Sequence, residues 1–198
     1  MSSEASLFPV FLKLEGRAVV LVGGGAAARV KLSELIRAGA RVTVVAPEVR
    51  PEISSSGVTV VQREFVAGDL DDAWFVVAAA PPEVNRRVAA AAAERRVFVN
   101  AVDDADRASA YTGGVFRRGG VMIAVSTEGR APALAGLLRE GLEAVVPEDV
   151  EAWIATARQL RQQQRTAGVP MGDRRPLLLG ALNRLYDARA IGRSEAKS

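Results

Sequence analysis

The chain has no cysteine and no histidine. Disulfides are therefore excluded, and a structural zinc site would have only carboxylates to draw on, so no metal ligands are expected. Nucleophilic catalysis by Cys–His or Ser–His–Asp sets is excluded as well. Acid–base chemistry falls to Asp, Glu, Lys, Tyr or the substrate itself. Lysine is nearly absent too: of 26 basic residues only Lys13, Lys31 and Lys197 are lysines, and the rest are arginines, which hold carboxylates and phosphates in bidentate pairs. These arginines are scattered, only two Trp and two Tyr are available for stacking, and the net charge is +3, so no nucleic-acid partner is expected. No apolar run approaches the ~18 residues of a membrane span. Residues 1–6 lack the basic start and long apolar stretch of a signal peptide, which predicts a cytoplasmic protein without a membrane partner.

What is present is a composition suited to one globular domain or two small ones, 198 residues with 49% hydrophobic and 25% charged. The most telling segment is Val19-Val20-Leu21-Val22-Gly23-Gly24-Gly25-Ala26-Ala27-Ala28. A β-branched apolar run drops into three glycines and then into a helix-forming stretch. This is the strand–turn–helix shape of a dinucleotide site, G-x-G-x-x-A with Gly23, Gly25 and Ala28. Such a turn offers unbonded N–H groups, here around Gly23, Gly24, Gly25, Ala26 and Ala27, at a helix N-terminus whose dipole favours a pyrophosphate.

The pattern predicts strands at 18–22, 41–46, 58–61, 74–79 and 97–102, and helices at 26–38 and 82–95, with Gly39 ending the first helix and Pro82 opening the second. Strands alternating with helices imply a Rossmann-like, doubly wound parallel α/β sheet. After Asp104 the pattern changes. A turn at 111–114 precedes strands at 115–120 and 121–126. Helices are expected at 132–146, 148–166 and 174–190, with a loop at 167–173 and a frayed end at 192–198. The expected organisation is a dinucleotide-binding domain at 1–112, a central dimerisation segment at 113–146 and a C-terminal helical domain at 147–198. Leu134, Leu137, Leu138, Leu142 and Val145 recur at helical spacing, and a tail of about 50 residues has too small a core to stand alone, which points to a homodimer.

Three groups could carry chemistry. Asp103 follows the fifth strand and so lies at the carboxyl end of the sheet, where open α/β folds bind ligands; an ordinary carboxylate is ionised at neutral pH and can take a proton. Asp104 and Asp106 read as loop or capping residues. Glu48, 25 residues after Gly23 and preceded by Pro47, sits where the ribose-binding acid is found. An acid there repels a 2′-phosphate and favours NAD, although the nearby Arg50 leaves NADP open. Finally, Ser126–Pro132 opens a helix whose amides, together with Arg117, Arg118 and Arg130, could receive several carboxylates, with capping by Ser126 or Thr127 as the alternative. Lys31 reads as a solvated helix lysine, and the stripe that includes Trp153 reads as packing.

Four ordered blocks together resemble a known family: Phe8-Pro9-Val10-Phe11-Leu12 leading to the triple glycine, Ala38–Pro47, Asn100-Ala101-Val102-Asp103-Asp104, and Ala124–Pro132 leading into Leu137-Leu138-Arg139. They are similar to precorrin-2 dehydrogenase, the N-terminal module of siroheme synthase. The resemblance runs from Phe8 to Val146 and continues more loosely beyond. It implies NAD-dependent oxidation of precorrin-2 to sirohydrochlorin, with ferrous iron insertion in some members. It also implies a homodimer, an essential aspartate falling on Asp103, and adenosine contacts falling on Pro47 and Glu48. The chain departs from the family pattern at Ala80-Pro81-Pro82-Glu83, where relatives often carry Thr-Asp, and at Thr112-Gly113, where many carry Met-Pro. The alternative function is a non-enzymatic NAD-binding sensor, for which neither the Asp103 block nor the Ser126–Pro132 block would be needed.

Overall fold

The computed structural model describes residues 7–195, with side chains through residue 184. It divides into two compact units, one made of the residues up to Gly113 together with Ser126–Pro132, the other of Gly114–Val125 and the residues from Ala133 onward.

The first unit is built on five parallel strands, β1 (Ala18–Val22), β2 (Arg41–Val45), β3 (Thr59–Val61), β4 (Phe75–Ala78) and β5 (Phe98–Ala101). Their order is β3-β2-β1-β4-β5, so the topological switch falls between β1 and β4. The continuous apolar character of β1 and β4 follows from burial on both faces. Val19 and Leu21 pack with Ala28, Leu32 and Leu35 of α1 (Ala26–Arg37) and Ile53 of the short α2 (Pro51–Ser54). Val20 and Val22 point the other way, into a second core with Val88, Ala91 and Ala92 of α3 (Pro82–Arg95). Gly39 ends α1 as expected: at φ +73° its N–H reaches the Ile36 carbonyl at 2.9 Å. The strands are a residue or so shorter than the apolar runs. Trp74, for instance, stands exposed ahead of β4 with the Arg17 guanidinium 3.7 Å above its ring.

The loop from β3 to β4 is held by a fork. Arg63 donates to both Asp69 carboxylate oxygens, at 2.9 and 2.5 Å, and the Val66 N–H adds a third bond at 2.9 Å. The Arg63 hydrogen bonds hold the Asp69 carboxyl below the ordinary carboxylate range, with help from the Val66 amide.

The second unit opens with an antiparallel hairpin, β6 (Gly114–Arg118) and β7 (Val121–Val125), turned by Gly119 and Gly120 at positive φ. Three helices follow, α4 (Pro132–Val145), α5 (Val150–Thr166) and α6 (Met171–Glu195). α5 and α6 are linked by the buried Gln164, whose Nε2 donates to the Arg174 carbonyl at 3.5 Å. α6 begins inside the segment read as a loop. Gly172 and Pro176 look like breakers, but Pro176 lies so early in the helix that its missing N–H forfeits only one of the first intrahelical bonds. Residues 1–6, bearing on the signal-peptide argument, and 196–198, within the expected frayed end, lie outside the described residues. Among the described residues no helix is long and apolar enough to cross a membrane.

A carboxyl with a lowered folded-state pKa contributes stability that is complete above its unfolded value and is lost as the pH falls through the folded one. Stability measured by urea denaturation is therefore expected to hold across neutral pH and to decline below about pH 4. Asp69→Asn should flatten part of that acid limb.

Candidate active site

The glycine turn is shaped by two close backbone approaches. A Cβ on Gly23 would sit 2.1 Å from the Ala79 carbonyl oxygen, and one on Gly24 would sit 1.9 Å from the Glu48 carbonyl oxygen. The Gly23 N–H donates to the Val45 carbonyl at 3.0 Å, and the Gly24 carbonyl accepts from the Arg50 N–H at 3.0 Å. The turn is thus clamped between the ends of β2 and β4, and the Pro47–Arg50 loop lies directly on it. Pro47 and Glu48 are both exposed there.

Gly25 differs. It is the N-cap of α1, in extended backbone, and a Cβ on it would meet nothing within 4 Å. No side chain caps the helix, and its first turn carries no acid, whereas α2, α3 and α5 have Glu52, Glu83 and Glu151 in theirs. Open space, uncapped amides and the positive end of a dipole fit a pyrophosphate held by Gly24, Gly25, Ala26 and Ala27. An unforeseen residue braces the chain leaving β4: Asn85, buried on α3, accepts the Ala80 N–H through Oδ1 at 3.0 Å. It fixes the Ala80–Glu83 segment without the hydroxyl that the family pattern carries nearby. A buried Asn on an otherwise apolar helix face was the available signal.

Asp103 lies at the same edge of the sheet. β5 is separated from β1 only by β4, so the two chain ends stand about 10 Å apart across the sheet. Asp103 is exposed, and its φ of +59° puts it in the left-handed region, a costly position for most residues but one that Asp tolerates. Among the described residues no side chain pairs with its carboxylate. Asp104 instead binds Arg107 at 2.8 Å, in keeping with a loop role.

The two blocks separated by the hairpin meet. Gly129, at φ +75°, lies so near the loop after β5 that a Cβ would be 2.7 Å from the Ala105 Cβ and 3.3 Å from the Tyr111 ring. Tyr111 in turn donates its hydroxyl to the Ala105 carbonyl at 2.8 Å. Ser126–Pro132 is therefore seated on the loop that carries Asp103. Within that turn Ser126 Oγ accepts the Glu128 N–H at 3.1 Å and Thr127 Oγ1 accepts the Ala131 N–H at 3.2 Å. Those two amides, read as open to an anion, are satisfied locally, and Arg130 pairs with Glu128 at 3.5 Å. Arg117 is exposed on β6. Arg118 is not available as a ligand group: it donates to the Glu143 and Val146 carbonyls and pairs with the Glu143 carboxylate, closing the end of α4. Lys31 stays partly open to solvent, but it is not without partners: its ammonium donates to Thr112 Oγ1 at 2.8 Å.

Residues 10–114 match a family described as "Putative NAD(P)-binding". That is over half of the chain, and the chain belongs to this family. The cofactor is therefore a nicotinamide dinucleotide. Siroheme synthase 3 of Aeromonas hydrophila is 41% identical over 194 residues, covering 94% of this chain and 41% of the relative. Siroheme synthase of Tolumonas auensis is 42% identical over 158 residues, covering 78% and 34%. The chain thus spans about two fifths or less of the length of these curated relatives. The solved structure of SirC, precorrin-2 dehydrogenase, superposes with a TM-score of 0.69 at 26% identity and 88% coverage of both chains.

The cradle yields a test in which stability and binding separate. Gly25→Val adds bulk to empty space at an extended N-cap, so the melting temperature should stay within about 3 °C of the parent, a change of under about 1 kcal/mol. The dinucleotide Kd, read by calorimetry, should rise at least about tenfold as the new side chain enters the pyrophosphate position.

Proposed function

We propose that this protein is an NAD-dependent dehydrogenase that oxidises precorrin-2 to sirohydrochlorin in siroheme biosynthesis. The observation that carries the reading is the placement of Asp103. It is a carboxylate with no side-chain partner among the described residues, in left-handed backbone and across one intervening strand from the glycine turn. The likeness to SirC and to siroheme synthases supplies the substrate.

The reaction removes two hydrogens from precorrin-2, one as a hydride and one as a proton. When bound, the oxidised nicotinamide accepts the hydride. Asp103 takes the proton, and its exposure in the free protein lets it release that proton to water between turnovers. Ser126, Thr127 and Arg130 belong to a turn seated beside the Asp103 loop and are assigned to the carboxylates of the substrate; arginine suits that task. Glu48, held against Gly24, is assigned to the adenosine ribose and favours NAD over NADP.

The proposal extends to assembly. The assembly is a cytoplasmic homodimer joined through the central segment, residues 113–146. α4 supports the dimer: it buries only Ala135 and leaves Leu137 66% and Val145 73% exposed, with Leu134, Leu138 and Leu142 also open to water. An apolar face of that kind marks an association surface.

Three measurements test the proposal. Anaerobic incubation with precorrin-2 and NAD⁺ should give the sirohydrochlorin absorbance; failure to form it would favour the sensor. Asp103→Asn, which suits the same left-handed backbone, should lower kcat by about a hundredfold or more and leave NAD binding intact. In sedimentation velocity the parent should run as a dimer, and Leu137→Glu should shift it toward monomer.

A further inference from the structure

A polar chain that runs from the surface to one buried amide links the cofactor helix to the loop of the proposed base. Asn100 on β5 is only 6% exposed. Its Nδ2 donates to the Ala110 carbonyl at 3.0 Å, and its Oδ1 accepts the Thr112 hydroxyl at 3.4 Å. The Thr112 oxygen then accepts from Lys31 Nζ at 2.8 Å, and Lys31 is also paired with Glu34 at 3.3 Å. Donors and acceptors run in one direction, from ammonium to hydroxyl to amide to carbonyl, so every member is satisfied.

The same segment is fastened to β5 by backbone. Ser109 and Ala110 donate their N–H groups to the Val99 carbonyl at 2.9 and 3.0 Å, and Ser109 Oγ accepts the Val99 N–H at 2.9 Å. Residues 102–108, with Asp103 near their start, thus form a loop closed at its base by Val99 and Asn100. Among these ties Lys31 alone comes from outside β5 and its loop, and it comes from the helix whose N-terminus forms the cradle.

Resting on the proposed dehydrogenase function, we infer that Lys31 is a positioning residue. Through Thr112 and Asn100 it fixes the loop of Asp103 relative to α1, and so sets the separation between the proton acceptor and the cofactor. It lies in the second turn of α1, outside the uncapped first turn, and its ammonium is committed to Thr112 and Glu34. Its work is therefore on the loop rather than on the pyrophosphate. Small displacements of a reacting group lower rates steeply, so the effect belongs in kcat.

The test uses the full chain with Lys31→Met, Thr112→Val and the pair combined. Each single variant should lower kcat for precorrin-2 oxidation by about tenfold, with the NAD Kd within about twofold of the parent. The double variant should lose no more than either single one, because both cut the same link. Thr112→Ser, which keeps the hydroxyl, should recover most of the rate. Amide hydrogen exchange should speed up in residues 102–112 in both Lys31→Met and Thr112→Val and stay unchanged in β1. An unaltered kcat in both variants would overturn the inference and leave the dehydrogenase reading standing. So would a raised NAD Kd at normal kcat, which would make Lys31 a cofactor contact. A parent protein that fails to oxidise precorrin-2 would sink the dehydrogenase reading, and exchange would then decide the link by itself: equal exchange in parent and variants refutes it.

Discussion

The near-contact of the glycine turn with two neighbouring chain segments is the constraint on which the rest of the first unit depends. At Gly23 and Gly24 any side chain would drive into a carbonyl oxygen, at 2.1 and 1.9 Å. Because the turn lies against the residue after β4, β1 and β4 can pair to their ends, and because it lies against Glu48, the loop after β2 is brought to the mouth of the cradle. The start of α1 follows directly from the same turn: its N-cap is Gly25, which has no side chain to offer, and the amides left uncapped are those an anion needs.

Around that constraint the protein separates fastening from chemistry. Charged groups near the sheet edge that have partners hold loops together: Arg63 with Asp69, Asp104 with Arg107, Lys31 with Thr112. Asp103, the carboxylate the proposed reaction needs, has no such partner among the described residues and sits in the left-handed backbone region that Asp tolerates. The loop that carries it is closed at its base by the buried amide of Asn100 and the hydroxyls of Ser109 and Thr112, and Gly129 seats the Ser126–Pro132 turn on top. A site built this way keeps its one reactive group exposed while its surroundings stay rigid.

Much of this architecture could be read from the chain. The β1–α1 unit was legible because a β-branched run, three glycines and an alanine-rich helix leave few alternatives, and Asp103 was legible because its strand ends where ligands bind. Other features depend on partners distant in sequence, and no local pattern reveals them. Lys31 looks like any solvated helix lysine until Thr112, 81 residues away, is brought to it. Arg118 looks like a ligand group until the end of α4 turns out to need its donors. Pro176 and Gly172 read as breakers, yet tertiary packing of α6 on α5 outweighs local propensity.

The placement of the two tryptophans has a practical consequence. Trp74 belongs to the first unit, beneath the Arg17 guanidinium, and Trp153 lies half-buried on α5 in the second. Since the chain contains no others, replacing either one leaves a single tryptophan, selectively excited beyond the tyrosine absorption band and confined to one unit. The melting of each half can then be followed by its own emission, and whether the halves unfold as one cooperative body becomes a matter of whether the two curves coincide.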